Sequence, residues 1–386
     1  MRVKIKEIEL INMNIPVAAS NLPKAVGRNY GCYMLVRVKC DNGMEGVSDG
    51  YYGNSSSAIA AVIKDALAPE LIGQDPTNVA GLYERMYRAG FYSGRMGIYF
   101  YALSAVEIAL WDITGKHYGA PVHALLGGVA KRTVAPYATL RAIIKEEEDD
   151  TVPAYASMQT FKTPEEVGMI AKLAKDVGFK SVKLHQVDIE SVRAAREAVG
   201  DDMEVTMDVN GFFNPLDAVI FSRQLAKYNV GWFEEPIWPP DDYRALSQLR
   251  QRSTVPIASG ENESTIYGFE RLFEADCVDI IQPEVLVTGG ILESVRVFSL
   301  AQARNIPIAP HNFKFGPVLA ATIHLSLLFS SVIEMETPWF KLEADICKVG
   351  PTVNNGRAKL SGKPGLGIEI DDDVVKEYRV EKFPRK

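Results

Sequence analysis

The stretch that decides the fold is MEVTMDVNGFFNPLDAVIFSRQLAKYNVGWFEEP, residues 203–236. Each end is a short β-branched or aromatic run that closes on a carboxylate, Asp208 in one and Glu234 in the other. The chain between them is long enough for a helical crossover, so the whole reads as one βαβ unit.

The same texture repeats on both sides. From Arg132 onward, short strand-like runs recur: TVAPYAT, KSVKLH, MEVTMDVN, VGWFEE, VPIASGE, VDIIQPE, IPIAPH and SSVIEME. Amphipathic stretches such as PEEVGMIAKLAKDVG and GILESVRVFSLAQARN separate most of them. From His185 the polar residues closing successive runs lie 23 to 27 residues apart. That is close to the smallest βαβ unit, about 30 residues. Eight strands at this spacing predict a closed parallel α/β barrel over 126–345. TVAPYAT reads as its first strand. The longer connection that follows, RAIIKEEEDDTVPAYASMQTF, reads as a solvated excursion because of its acidic run.

Upstream, VKIKEIELINMNIP alternates like a strand, and YMLVRVKCDNGMEGVSD predicts a hairpin around Asp41-Asn42-Gly43. Loops are expected at VAASNLPKAVGRNYG and GYYGNSS, and helices at SAIAAVIKDALAPELIG and YFYALSAVEIALWDITGKHYG. An α+β domain over 1–125 is the simple reading. Residues 346–386 leave the barrel period and carry hairpin-like turns, so they are expected to fold back on the N-terminal domain.

With 386 residues, 47% of them apolar, 24% charged and mean hydropathy −0.03, the chain is an ordinary globular protein of two domains or one large barrel with an appendage. Four cysteines without CxxC spacing suggest neither a disulfide framework nor a zinc site. The start lacks a long apolar segment and no stretch approaches a membrane span, which predicts a cytoplasmic protein. A net charge of −7 without a basic cluster argues against nucleic acid. A small anionic substrate stays compatible, because a bound divalent cation reverses the field locally.

Active sites of such barrels sit at the C-terminal ends of the strands. There the runs present Lys183 and His185, then Asp208 and Asn210, Glu234 and Glu235, Glu261 and Asn262, Glu284, His311, and finally Glu334 and Glu336. Lys183 and His185 are two apart and share one face of their strand. Any one carboxylate could cap a helix or pair with a surface lysine. Asp208, Glu234 and Glu261 end three consecutive strands, however, and would repel one another unless a cation neutralised them. An all-oxygen donor set suits Mg²⁺, one ion per active site. His311 ends the strand after Glu284, close enough to lean on that carboxylate, which would fix its tautomer. A cation flanked by a Lys-x-His pair and a His–carboxylate pair suits abstraction of a proton next to a carboxylate.

His324 lies in an apolar helical stretch and reads as a core residue, while His117 and His123 flank a turn. Gly289-Gly290 reads as a turn or helix start rather than a phosphate site. No GxGxxG follows a strand, so a dinucleotide oxidoreductase lacks its signature.

These strand ends resemble the enolase superfamily and, within it, the mandelate racemase subgroup. IALWDITGKHYGAPVHALLGG at 108–128 is similar to the family's link from capping domain to barrel. DVN, FEEP, GEN, QPE…GG and PHN follow in the family's order. The resemblance implies an N-terminal α+β capping domain on a (β/α)7β TIM-like barrel. It implies Asp208, Glu234 and Glu261 as Mg²⁺ ligands, His311 as general acid/base and Glu284 as its dyad partner. Glu334 matches the acid that binds the substrate or its intermediate, Asn210 joins the substrate-binding set, and Lys183 and His185 occupy the Lys-x-Lys position. Substrate-selecting loops correspond to about 16–32 and 50–56. Two residues depart from the pattern: Glu284 stands where aspartate is usual, and His185 replaces the second lysine. Val287 falls where the muconate-lactonizing subgroup has a lysine, which disfavours that subgroup.

The leading expectation is a Mg²⁺-dependent dehydratase of a sugar acid or related hydroxy acid, giving a 2-keto-3-deoxy acid. The alternative is a racemase or epimerase with His185 or Lys183 opposite His311. A binding or structural barrel without activity is disfavoured by the intact triad. Metal-assisted hydrolysis or phosphoryl transfer would need a second metal site or a phosphate-gripping loop, and neither is visible. The expected partner is a small carboxylate, with no nucleic acid and no membrane, and the chain is expected to form a homo-oligomer.

Overall fold

In the computed structural model the described residues are 3–20, 22–26, 30–130 and 150–383, with backbone alone for 132–134 and 145–147. The alternating N-terminal run forms the strand Ile5–Pro16, which buries Ile11, Met13 and Ile15 on one face. It pairs antiparallel with Tyr30–Cys40, and that strand pairs with Glu45–Asp49 across the turn at Asp41–Gly43. Helix Ile98–Tyr118 packs on this sheet. It is apolar almost all round and buried on most sides, as expected of a helix covered by both sheet and barrel. A side chain at Gly46 would meet the Ala109 carbonyl oxygen at 2.1 Å, so glycine is what lets strand and helix touch. Residues 50–55 form no helix or strand, nor do 17–20 and 22–26. Asn21 and 27–29, also within the expected first loop, lie outside the described residues.

The barrel strands are Thr151–Ser157, Ser181–Leu184, Glu204–Asp208, Val230–Glu234, Ile257–Ser259 and Ile280–Ile281, in that spatial order and parallel. Parallel bridges Ile281–Ile308 and Ile308–Val332 continue the sheet, and Met335–Pro338 pairs parallel with Thr151–Ser157 to close it. Helices fill the crossovers where the sequence carries start signals. Helix Pro164–Asp176 opens with a reciprocal Thr163/Glu166 capping box and proline at its first position. Tyr155, Trp232, Ala258, Ile280 and Ala309 form a separate apolar layer inside the barrel, beneath the site.

One expectation is corrected. The first barrel strand is Thr151–Ser157, not TVAPYAT. Arg132–Val134 pairs antiparallel with Lys145–Glu147 outside the barrel sheet, and 135–144 and 148–149 lie outside the described residues. The two runs have nearly the same composition, and it is TVPAYAS that pairs with Met335–Pro338 and closes the barrel. Of the acidic run read as a solvated loop, Asp150 is exposed, 146–147 are described by backbone alone as part of a strand, and 148–149 lie outside the described residues.

Beyond Ile346 the chain first returns to the barrel. Thr352–Asn354 and Arg357–Lys359 form a hairpin whose second strand pairs antiparallel with the first barrel strand. It then reaches the capping sheet, where Asn14 N–H donates to Tyr378 O at 3.0 Å and Val380 N–H to Asn12 O at 2.9 Å.

Cap and barrel are riveted at Gly289-Gly290. Helix Gly290–Ala303 begins there, and its N-terminal N–H groups of Ile291 and Leu292 donate to the buried Glu107 carboxylate at 2.7 and 2.9 Å. A helix N-terminus attracts an anion, and here the anion is a side chain of the cap. Among the described residues no helix is long and apolar enough to cross a membrane.

Candidate active site

The strand ends bring the expected carboxylates together. Asp208 and Glu234 are register partners on adjacent strands. Ligand-capable oxygens of Asp208, Glu234 and Glu261 lie within 4.8 Å of one another, all buried, the one such group among the described residues. Each is held from behind. Glu234 Oε2 accepts from Trp232 Nε1 at 3.0 Å and from Gln282 Nε2 at 2.6 Å. Asp208 accepts from the backbone N–H of Asn210 at 2.8 Å and from its side-chain amide at 3.0 Å. Asn210, the expected substrate contact, thus lies against Asp208, its left-handed backbone, φ 45°, turning the amide back on the strand end.

Lys183 is fully buried. Its Nζ lies 2.6 Å from Glu234 Oε1, 2.9 Å from Glu336 Oε1 and 3.5 Å from Asp208 Oδ2. His185, on the same strand face, has Nδ1 2.5 Å from the Met158 carbonyl oxygen and Nε2 3.0 Å from Asp208 Oδ2. Both ring nitrogens therefore face acceptor oxygens. His311 Nδ1 lies 2.8 Å from Glu284 Oε2, while its Nε2 lies 3.3 Å from Glu261 Oε2 and 3.4 Å from Glu336 Oε2. The extra methylene of Glu284 does not prevent the dyad contact.

Glu334 requires correction. It accepts a hydrogen bond from Ser181 Oγ at 2.5 Å, and Ser181 begins the second barrel strand in register with Glu204. Glu334 therefore points toward the opposite end of the barrel. Burial, with Glu204 adding to it, pushes its carboxyl up to about 8. Glu336 takes the place beside the triad. Two residues along a strand is one pleat repeat, roughly 6.6 Å, so the two acids share a face but sit at different depths. The sequence showed both, and only the register with Tyr155 on the first strand sets the level.

The charges are unequal. Asp208, Glu234, Glu235, Glu261, Glu284 and Glu336 are buried around Lys183, His185 and His311. Burial first, then Asp208 and Glu336, push Glu234 up to about 7 against the pull of Lys183. Burial likewise raises Glu261 well above the carboxylate range, with His311 opposing and Asp208 and Glu235 adding to the rise. Burial alone would raise Asp208 as well, but Lys183 and His185 outweigh it and hold this carboxyl low. Burial alone would also lower His311, but Glu336, Glu261 and Glu284 outweigh it and raise the imidazole well above its ordinary value. Glu261 Oε2 is buried and accepts no hydrogen bond. Crowded carboxylates, a buried oxygen without a hydrogen bond and an oxygen-only donor set fit a hard divalent cation.

Sequence comparison agrees with this geometry. Residues 15–127 match the mandelate racemase / muconate lactonizing enzyme N-terminal domain, and residues 167–374 match the enolase C-terminal domain-like family. The chain belongs to the enolase superfamily, in its mandelate racemase subgroup. An arabinonate dehydratase of Saccharolobus solfataricus is 34% identical over 86% of this chain and 88% of its own length. A D-xylonate dehydratase of Haloferax volcanii is 29% identical over 98% and 90%. The crystal structure of the 3,6-anhydro-D-galactonate cycloisomerase from Zobellia galactanivorans superposes with a TM-score of 0.82 at 29% identity, over 98% of this chain and 100% of that one. In this superfamily member the capping domain also reaches the site. Tyr52 lies within electrostatic reach of Glu261, Glu284 and Glu336, and Tyr101 of Glu261 and Glu284. Burial and those charges raise both phenols. The sequence marks the loop of Tyr52 but neither ring, since tyrosine carries no positional signal of its own.

Proposed function

We propose that this chain is a Mg²⁺-dependent dehydratase of sugar acids that yields a 2-keto-3-deoxy acid. The observation that carries the reading is His311, anchored by Glu284 through Nδ1 with Nε2 turned to the acidic triad. Relatives named as arabinonate and D-xylonate dehydratases support the substrate class. Asp208, Glu234 and Glu261 would hold the Mg²⁺, which would supply positive charge where the substrate carboxylate takes on enediolate character.

The chain's own residues would do the rest. Lys183 fixes Glu234 and Glu336 with a buried cation. His311 Nε2 takes the proton from the α-carbon, and the C–H electron pair moves toward the carboxylate. It then returns that proton to the β-hydroxyl, which leaves as water. The resulting enol gains a proton at C3 and becomes the ketone. One group serving both steps implies elimination on one face of the substrate.

A racemase or epimerase needs a second base opposite His311. His185 is the candidate, but Met158 O and Asp208 engage both its nitrogens, which favours a role in holding charge near the substrate. The test is formation of 2-keto-3-deoxy acid from arabinonate and xylonate in the presence of Mg²⁺. His311→Gln is expected to abolish it and His185→Gln to retain it. The reverse pattern makes His185 the base, and no keto acid from any sugar acid rejects the dehydratase reading.

A further inference from the structure

Above the site, cap and barrel meet in one buried ion pair. Asp49 ends the third capping strand with its side chain 1% exposed. Its Oδ1 accepts from the N–H groups of Met34 at 2.8 Å and Tyr51 at 2.9 Å, and its Oδ2 lies 3.3 Å from Lys314 Nζ. Lys314 also donates to the Tyr51 carbonyl oxygen, and its Nζ lies 4.7 Å from the centroid of the Tyr51 ring. Asp49 and Lys314 thus hold the backbone of Tyr51 from both its N–H and its carbonyl.

On the barrel side, Lys314 follows His311 by three residues. Between them the Asn312 N–H donates to Glu336 Oε2 at 3.0 Å, and the Asn312 amide donates to Lys314 O at 2.9 Å. One short loop therefore carries the acid/base histidine and the cation that grips the cap. On the cap side the next residue is Tyr52, whose ring packs on Tyr101 at 4.6 Å and whose phenol lies within electrostatic reach of the acids of the site. Residues 50–55 belong to no helix or strand, so contacts of this kind, rather than a hydrogen-bond ladder, fix their position.

We propose that Lys314 is a positioning residue that fixes Asp49–Tyr52 on the His311 loop, so that Tyr52 closes the site over the substrate and sets its affinity. For its kinetic consequence this inference rests on the dehydratase reading. Opening the latch leaves the triad and His311 in place, so substrate binding suffers before the chemical step does.

The test is backbone hydrogen exchange on the whole chain with Mg²⁺ alone, in Lys314→Met and Lys314→Arg. Lys314→Met is expected to raise exchange at 50–55 about tenfold or more while 204–208 and 257–259 stay protected, with Lys314→Arg close to wild type. Since a lone Asp49 charge could unfold the chain, the double variant Lys314→Met with Asp49→Asn removes both charges and should show the same loosening. Unchanged exchange at 50–55 in a folded variant overturns the proposal. With an aldonate that wild type dehydrates, Lys314→Met should raise KM about tenfold and leave kcat within about threefold. A fall in kcat at constant KM overturns it as well. If no aldonate is dehydrated, the functional reading fails while the exchange experiment still decides the latch.

Discussion

His311 Nδ1 and Glu284 Oε2 stand 2.8 Å apart, joining the ends of the sixth and seventh barrel strands. A carboxylate there favours the protonated imidazole, together with Glu336 and Glu261, which weigh more heavily. His311 must take the α-proton as the free base before passing it to the leaving hydroxyl, so kcat should decline where the imidazole already holds a proton at low pH. Glu284→Gln removes one supporting charge. That acid limb is then expected to move to lower pH, and the pH–rate profiles of wild type and variant check the direction. His311→Gln should lower kcat by about 10²–10⁴-fold while leaving Mg²⁺ affinity nearly unchanged.

The two acids of the eighth strand should separate cleanly. Glu336→Gln takes a partner from Lys183 and His311 and is expected to cost at least about 10²-fold in kcat/KM. Glu334→Gln lies away from the site and should stay within about threefold of wild type. Steady-state kinetics on both variants decides the assignment.

How much of this was legible beforehand follows from the periods of the chain. Spacing between closing residues revealed the barrel, and the side-by-side placement of Lys183 and His185 followed from strand alternation alone. Asp208, Glu234 and Glu261 could be read because each is the residue at which an apolar run stops. Glu334 and Glu336 could not be told apart, because alternation puts both on one face and depth depends on pairing with a strand far away in sequence. The first strand failed for a related reason: TVAPYAT and TVPAYAS have nearly the same composition, and only barrel closure against Met335–Pro338 selects the second. Contacts such as Lys314 with Asp49 join distant parts of the chain and leave no local pattern.

Glu107 should matter for stability rather than chemistry. Its carboxylate accepts from Ile291 and Leu292 N–H and from Trp111 Nε1 at 2.8 Å. Glu107→Ala leaves two buried helix N–H groups without acceptors and should destabilise the fold by about 2–4 kcal/mol. Chemical unfolding measures the loss, and an unchanged midpoint would contradict the rivet.

A histidine pair gives the fold an acid limit. His324 Nδ1 accepts from the His123 backbone N–H at 3.1 Å, and the two Nδ1 atoms lie 2.9 Å apart. Burial, with His123 adding to it, lowers His324 to about 3, so the folded ring is neutral. Its contribution to stability is complete above the ordinary histidine value near 6.5 and is lost as pH falls from there toward 3. Over that window each pH unit should cost up to about 1.4 kcal/mol, and His324→Asn should flatten the slope in unfolding experiments from pH 7 to 4.

The central claim is metal-dependent removal of an α-proton followed by loss of water. The most direct measurement incubates chelator-treated protein with a panel of sugar acids in D₂O, with and without added Mg²⁺, and follows 2-keto acid and isotope by NMR. The account predicts a 2-keto-3-deoxy acid carrying one solvent-derived deuterium at C3, formed only when Mg²⁺ is restored and absent in Asp208→Asn. Recovery of every acid without keto acid, whether α-deuterated or isomerised without loss of water, would contradict it.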